Sequence, residues 1–171
     1  TTGSAAMMAA ARFEGEVYLG GFDSGLWRWA DGKAEPVSLG LGVREEQVNA
    51  LAEYDGALWV GTEAGLLRVS RTGAGLRAER LHEASVHDLS VGAEGLAAAT
   101  SRGLLVVSKG AGVRRVDLQS GVETGKFFAV AWQGPGIARQ VIPTSALIPR
   151  NATANFPSST LRPIEQWRIA Q

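Results

Sequence analysis

The sequence predicts an all-β chain made of a repeated four-stranded antiparallel unit, and three observations carry the prediction. Between Gln47 and Ser70 (QVNALAEYDGALWVGTEAGLLRVS), short apolar runs rich in β-branched and aromatic residues alternate with turn signals. That is strand length and strand chemistry, not the period of a helix. The same phrase then returns along the chain. The returns are also evenly spaced: Gly25 and Gly65 lie 40 residues apart, Gly65 and Gly103 38, Gly56 and Gly95 39, and Gly95 and Gly134 39. Repeats of about 40–45 residues with four strands each are the sequence signature of β-propeller blades. The expected fold is a β-propeller or partial propeller, with about 3.5 blades of ~39 residues followed by an irregular C-terminal tail.

The elements follow in order. Residues 1–13 read as an N-terminal extension or tag remnant. Thr1-Thr2-Gly3-Ser4 has the look of a processed end, and the small apolar residues Ala5 to Ala11 lack the basic segment of a secretory signal. Those residues suit the tail of a strand or a frayed helix equally. The blades are expected over 14–136. The first copy runs from Glu14 to Asp31, with an outer edge strand at Pro36 to Leu39, where proline is tolerated because one side of an edge strand faces water. In the second copy, Asp55-Gly56 predicts a type I′ hairpin, which needs positive φ at both central positions. Gly61 and Gly65 read as turn residues, and Leu76 to Leu81 as the outer strand, with Arg77, Glu79 and Arg80 blunting the free edge. The third copy, Ser85 to Ser108, sets Glu94-Gly95 where Asp55-Gly56 stood and Ala97-Ala98-Ala99 where Trp59-Val60-Gly61 stood; Val113 to Leu118 follows as its outer strand. A fourth copy starts at Lys126 and breaks off where its second strand is due.

The phrase G-x-LWVGT-x-x-GL-x-R at Gly56 to Arg68 resembles the two-component-regulator propeller repeat, and the resemblance covers about residues 14–134. Such repeats build the extracytoplasmic sensor propellers of bacterial hybrid histidine kinases and also occur in stand-alone propellers. The resemblance therefore implies a propeller of sensor or scaffold type and a periplasmic or extracytoplasmic location. It implies little about chemistry, because its repeated residues pack and turn the chain. Leu58 and Trp59 are expected to fill the space between blades.

Composition narrows the function. Lys and Arg number 17, Asp and Glu 17, so no field of one sign exists to steer nucleic acid or an anionic membrane. Cysteine is absent, which removes disulfides, thiol catalysis and zinc-thiolate sites. No apolar run is long enough to span a bilayer. All 22 glycines lie at or before Gly136, whereas five of the six prolines lie at or after Pro135. Residues 137–171 accordingly read as a proline-containing tail, a divergent last blade or a partner-binding arm.

In the family, ligands meet the face formed by the loop entering each inner strand and the loop between the second and third strands. On this chain those loops supply Asp23, Arg44, Gln47, Glu63, His82, His87 and Arg102 as candidate ligand-binding residues, a mixture of charges suited to a small polar ligand or a protein partner. His82, Glu83, His87 and Asp88 form a ligand-like cluster. A strand through Val86 to Leu89 would send His87 and Asp88 to opposite faces, so no metal and no cofactor is expected. No nucleophile elbow, phosphate loop or catalytic cysteine is present.

The reading is a non-enzymatic binding module. One alternative is a propeller enzyme acting on a carbohydrate or lactone, which requires at least two of Asp23, Glu63 and Glu83 to converge in a cleft. Another is a structural subunit that docks through its C-terminal tail. Three copies and part of a fourth could close a small ring, or two chains could join as a homodimer to complete one.

Overall fold

The structure is a computed structural model, and it describes residues 6–40, 47–93, 95–110, 112–116, 127–133 and 136–140. Every regular element among them is a strand. The first sheet holds β1 (Met7–Phe13), β2 (Glu16–Gly21), β3 (Gly25–Ala30) and β4 (Lys33–Val37). The second holds β5 (Val48–Tyr54), β6 (Ala57–Thr62), β7 (Gly65–Thr72) and β8 (Gly75–His82). The third holds β9 (Val86–Gly92), β10 (Gly95–Thr100), β11 (Gly103–Val107) and β12 (Val113–Val116), and a two-stranded sheet of β13 (Ala129–Gln133) and β14 (Gly136–Gln140) comes last. Each sheet is an antiparallel meander in chain order. The chain is thus an all-β partial propeller.

Local chemistry explains the strands. Glu14-Gly15, Asp31-Gly32 and Asp55-Gly56 all turn with positive φ at both residues, the geometry of a type I′ hairpin. At the other end of the second and third sheets a threonine closes the turn. The Thr62 hydroxyl donates to the Gly65 carbonyl at 3.0 Å and accepts from the Ala64 amide, and Thr100 does the same with Gly103 and Arg102.

The inner strands lie side by side, β1 against β5, β5 against β9 and β9 against β13. The core is therefore not one interior but three layers between successive sheets. Tyr18, Leu26 and Phe13 meet Val48, Leu58, Val60, Leu67 and Val69 in the first layer. Trp59 and Leu66 meet Val86, Leu96, Ala98, Leu105 and Val107 in the second. Ala97, Ala99 and Leu104 meet Phe127 and Val130 in the third. The pleat makes this possible, because alternate residues of one strand serve opposite layers. Leu58 and Val60 face the first sheet, and Trp59 faces the third.

Several expectations need correcting. Residues 7–13 are not an extension but the inner strand of the first sheet, paired with β2 from Met7↔Gly21 to Phe13↔Glu16. The first outer strand is Lys33–Val37, with Pro36 inside it and opposite Trp27, rather than Pro36 to Leu39. Gly61 makes no turn. It lies within β6, where a Cβ would stand 2.6 Å from Val86 Cγ1, as a Cβ on Gly20 would stand 2.4 Å from Val48 Cγ1. Glycine there admits the next sheet's inner strand. Gly95 pairs with Gly92 and so matches Ala57, not Gly56. The fourth copy does deliver a second strand, β14, paired with β13 from Ala129↔Gln140 to Gln133↔Gly136. The third outer strand is described as far as Val116, and Arg44 and the residues beyond 140 lie outside the described residues.

Candidate functional site

The meander puts the chemistry at one end of the sheets. Inner strands start there, the second and third strands turn there, and the outer strands finish there. Asp23, Gln47, Glu63, His82, His87 and Arg102 all fall at this end. The opposite end carries tight hairpins such as Glu14-Gly15 and Asp55-Gly56.

A backbone clasp repeats across this end. The Phe22 amide donates to the Ala6 carbonyl at 3.2 Å, Glu63 to Gln47 at 3.2 Å and Ser101 to Ser85 at 2.9 Å. Just inside it, each of the first three inner strands carries a bulge at the same place. Register slips between Met7 and Ala9, between Val48 and Ala50, and opposite Ala99 and Thr100. The extra residues are Met8, Asn49 and His87. A bulge re-aims the side chain it carries, and these three come from equivalent positions on successive inner strands. Phe128 follows the buried Phe127 as His87 follows Val86, and its ring stacks on His87 with centroids 5.0 Å apart.

Two polar groups are assembled here. In one, Glu63 accepts from Asn49 Nδ2 at 2.8 Å through Oε1 and from the Ser85 hydroxyl at 2.9 Å through Oε2. Asn49 also donates to the Val86 carbonyl at 2.9 Å, which ties the second sheet to the third. In the other, His82 ends β8 with Nδ1 accepting from the Ala84 amide at 3.0 Å. Its pKa is lowered, first by burial and then by the positive charges of Arg102 and Arg115, with Glu83 opposing them. The Arg115 guanidinium lies over the turn, its Nε 3.3 Å from where a Cβ on Gly103 would be.

The predicted residues thus divide. Glu63 and Gln47 are joined in one clasp, and His82 and Arg102 belong to one basic group. Asp23 is exposed on the first turn and joins neither. His87 is the bulge residue of β9. The His-Glu-His-Asp cluster does not converge: Asp88 accepts from the Leu89 and Val130 amides, and His87 stacks on Phe128. No group of three His, Asp or Glu side chains placed to hold a metal is found among the described residues. Asn49, Ser85 and Arg115 were not read from the sequence. Asn49 was findable, since it shares one repeat position with the predicted His87, 38 residues further on.

A further polar knot joins the first two sheets away from this end. The Tyr18 hydroxyl donates to Glu16 Oε2 at 2.9 Å and accepts from Arg71, which also binds Glu14 and Glu16. The Tyr18 hydrogen bond is the largest cause lowering the Glu16 pKa, with Arg71 and Arg28, the latter bound to Glu16 Oε1 at 3.2 Å, adding to it and burial opposing it.

No protein-family model matches the chain, and no curated protein sequence matches it. Solved structures do. The chain is similar to the extracellular domain of a hybrid two-component system from B. thetaiotaomicron, with a TM-score of 0.62 and 14% identity over 80% of this chain and 20% of that one. It spans about a fifth of that neighbour's length. It is also similar to the computationally designed Ika4 protein, with a TM-score of 0.54 and 15% identity over 79% of this chain and 84% of that one. At these identities the likeness establishes the fold. No helix among the described residues is long and apolar enough to cross a membrane.

Proposed function

We propose that the chain is a non-enzymatic propeller module of the two-component-regulator repeat type, with a sensor or scaffold role, which binds a small polar ligand or a protein segment at the inner-strand entry face. The observation that carries this is the basic group at that face. Among the described residues, the positive charges of Arg102 and Arg115 act on the partly buried His82, with Glu83 opposing them, and no carboxylate is hydrogen-bonded to either guanidinium. Such a group suits an anionic part of a ligand, since charge-assisted bonds from arginine to carboxylate or phosphate are the strong ones. The extracytoplasmic placement belongs to the same proposal and is supported by the neighbour being an extracellular domain. The enzyme alternative is the weaker one, because Glu63 has both carboxylate oxygens bound within the protein.

A thermal-shift screen of small carboxylates, phosphates and acidic sugars against the wild-type chain tests the proposal. A ligand at about 100 times its Kd adds roughly 2.7 kcal/mol of apparent stability. The expected result is a saturable rise in Tm that Arg102→Ala or Arg115→Ala abolishes without lowering the ligand-free Tm. A rise that survives both substitutions would place the ligand elsewhere and overturn the assignment.

A further inference from the structure

The sheets obey a covering rule that the first sheet breaks. In the second sheet, Leu58, Val60, Leu67 and Val69 face the preceding sheet and are each 0% exposed. In the third, Leu96, Ala98, Leu105 and Val107 hold the same positions at 0, 0, 2 and 5%. The first sheet sets Val17, Leu19, Trp27 and Trp29 there, a larger apolar set, and no other sheet among the described residues packs over them. Trp29 is 47% exposed and the other three are part-exposed. Beside them on β1, Met7 is 43% exposed, whereas its counterparts Val48 and Val86 are 0% exposed in contact with Gly20 and Gly61.

Among the described residues, nothing from the far end of the chain covers this face. β1 packs on β5, β5 on β9 and β9 on β13, and among the described residues the series stops without β13 or β14 packing on β1. The described side chains on the far side of the last sheet are small and uncovered. Ala129 is part-exposed and Ala131 exposed on β13, and small residues are what receive a neighbour's bulk elsewhere in this chain, as Ala97 and Ala99 receive Phe127. The bulge position repeats the message. It is polar and part-buried in the middle sheets, at Asn49 and His87, but apolar and exposed at the two ends, at Met8 (58%) and Phe128 (43%).

We propose that the occupant is a second copy of this chain, whose β13–β14 sheet continues the series onto the first sheet. By two-fold symmetry the second copy's first sheet receives the first copy's last one, so both joints are the same and the assembly closes. The sheets described, taken from two copies, number eight, within the four to eight blades of known propellers. The apolar joint continues the interface already present between successive sheets, so an uncovered patch of this kind is an interaction surface rather than a solvated face. This inference is independent of the ligand at the entry face.

Light scattering after gel filtration, on the full chain, tests it. The expected mass is about twice 18.0 kDa. Trp29→Glu and Met7→Glu change residues already exposed in the single chain, so each is expected to keep the far-UV spectrum and shift the species to one chain, with a dissociation constant raised at least about 100-fold. A wild-type monomer whose tryptophans resist acrylamide quenching would mean that the chain's own C-terminal residues cover the face, and would overturn the proposal. So would open-ended polymers, or dimers that survive both substitutions.

Discussion

The close approach at Gly61 gives a quantitative test of how the sheets are joined. A Cβ at Gly61 would stand 2.6 Å from Val86 Cγ1 and 3.1 Å from Val86 Cβ. Neither can move freely, since Val86 is 0% exposed and enters the core with Trp59, Leu66 and Leu96. Gly61→Ala therefore has to push the third sheet's inner strand outward. Overpacking of this kind costs about 1–3 kcal/mol, set against roughly 0.4–1 kcal/mol regained because alanine restricts the unfolded chain. We predict a net loss of about 1–2 kcal/mol. Val86→Ala deletes two methyl-sized groups, about 1.6 kcal/mol of burial plus a cavity penalty. In the double variant the Cβ introduced at position 61 occupies the space that Val86 Cγ1 has left, so the two losses cancel in part. A favourable coupling of about 1–2 kcal/mol is expected from urea unfolding of the four proteins, within the range found for residues in contact. Additive losses, or a Gly61→Ala protein as stable as wild type, would refute the idea that glycine is present to admit Val86.

Three further outcomes follow from the same geometry. Trp59→Ala, which empties a site 3% exposed between the second and third sheets and removes the indole bond to the Tyr54 carbonyl, should cost about 3–5 kcal/mol by chemical denaturation. Thr62→Val keeps the shape of a fully buried side chain but strands the Gly65 carbonyl and the Ala64 amide, so a loss of about 1–3 kcal/mol is expected, and Thr100→Val should match it. His82 has a folded-state pKa below its unfolded value, so the neutral ring stabilises the fold above pH ~6.5 and that contribution fades as pH falls toward the folded value. Stability of the wild-type chain should therefore drop between pH 7 and 5 more than that of His82→Asn, whose carboxamide oxygen can accept the Ala84 amide at either pH.

The strands were legible because their signals are local. Asp55-Gly56 marks a hairpin wherever it stands, and alternating apolar runs mark half-buried strands. The repeat spacing then supplied the blade architecture. What stayed hidden depends on neighbours far along the chain. Gly61 looks like a turn residue until Val86, 25 positions later, is seen to need its space. Ala97-Ala98-Ala99 looks like decay of the motif, yet Phe127 from the next sheet fills the layer against Ala97 and Ala99. Met7 to Phe13 stays open between a strand tail and a frayed helix in the sequence because Ala9, Ala10 and Ala11 carry little strand propensity of their own. Pairing with β2 and packing against β5 make it a strand. The entry face was legible as a set of loops, but which of its residues are engaged was not, since Glu63 is satisfied by Asn49 and Ser85 from two different sheets.

That engagement bears directly on Glu63, which the sequence offers as a ligand residue and the structure holds as a clasp between sheets. The two roles predict different behaviour. As a clasp, Glu63→Ala leaves Asn49 with the Val86 carbonyl and releases Ser85, at a cost of about 1–2 kcal/mol, since hydrogen bonds to a charged group contribute roughly 1.5–3 kcal/mol each and water replaces part of them at a half-exposed site. Glu63→Gln keeps an acceptor for Asn49 and turns a donor toward the Ser85 oxygen, which can accept it, so most of the stability should return. Under the clasp reading, affinity for whatever ligand the thermal-shift screen finds stays within about two-fold of wild type in Glu63→Gln, because the loops keep their places. Under a direct-contact reading, the same substitution removes a charge from the ligand's surroundings and affinity changes at least tenfold, about 1.4 kcal/mol, with stability intact. Measuring Tm and ligand affinity on the same Glu63→Gln preparation separates the two. A stable protein with lost affinity would return Glu63 to the binding site.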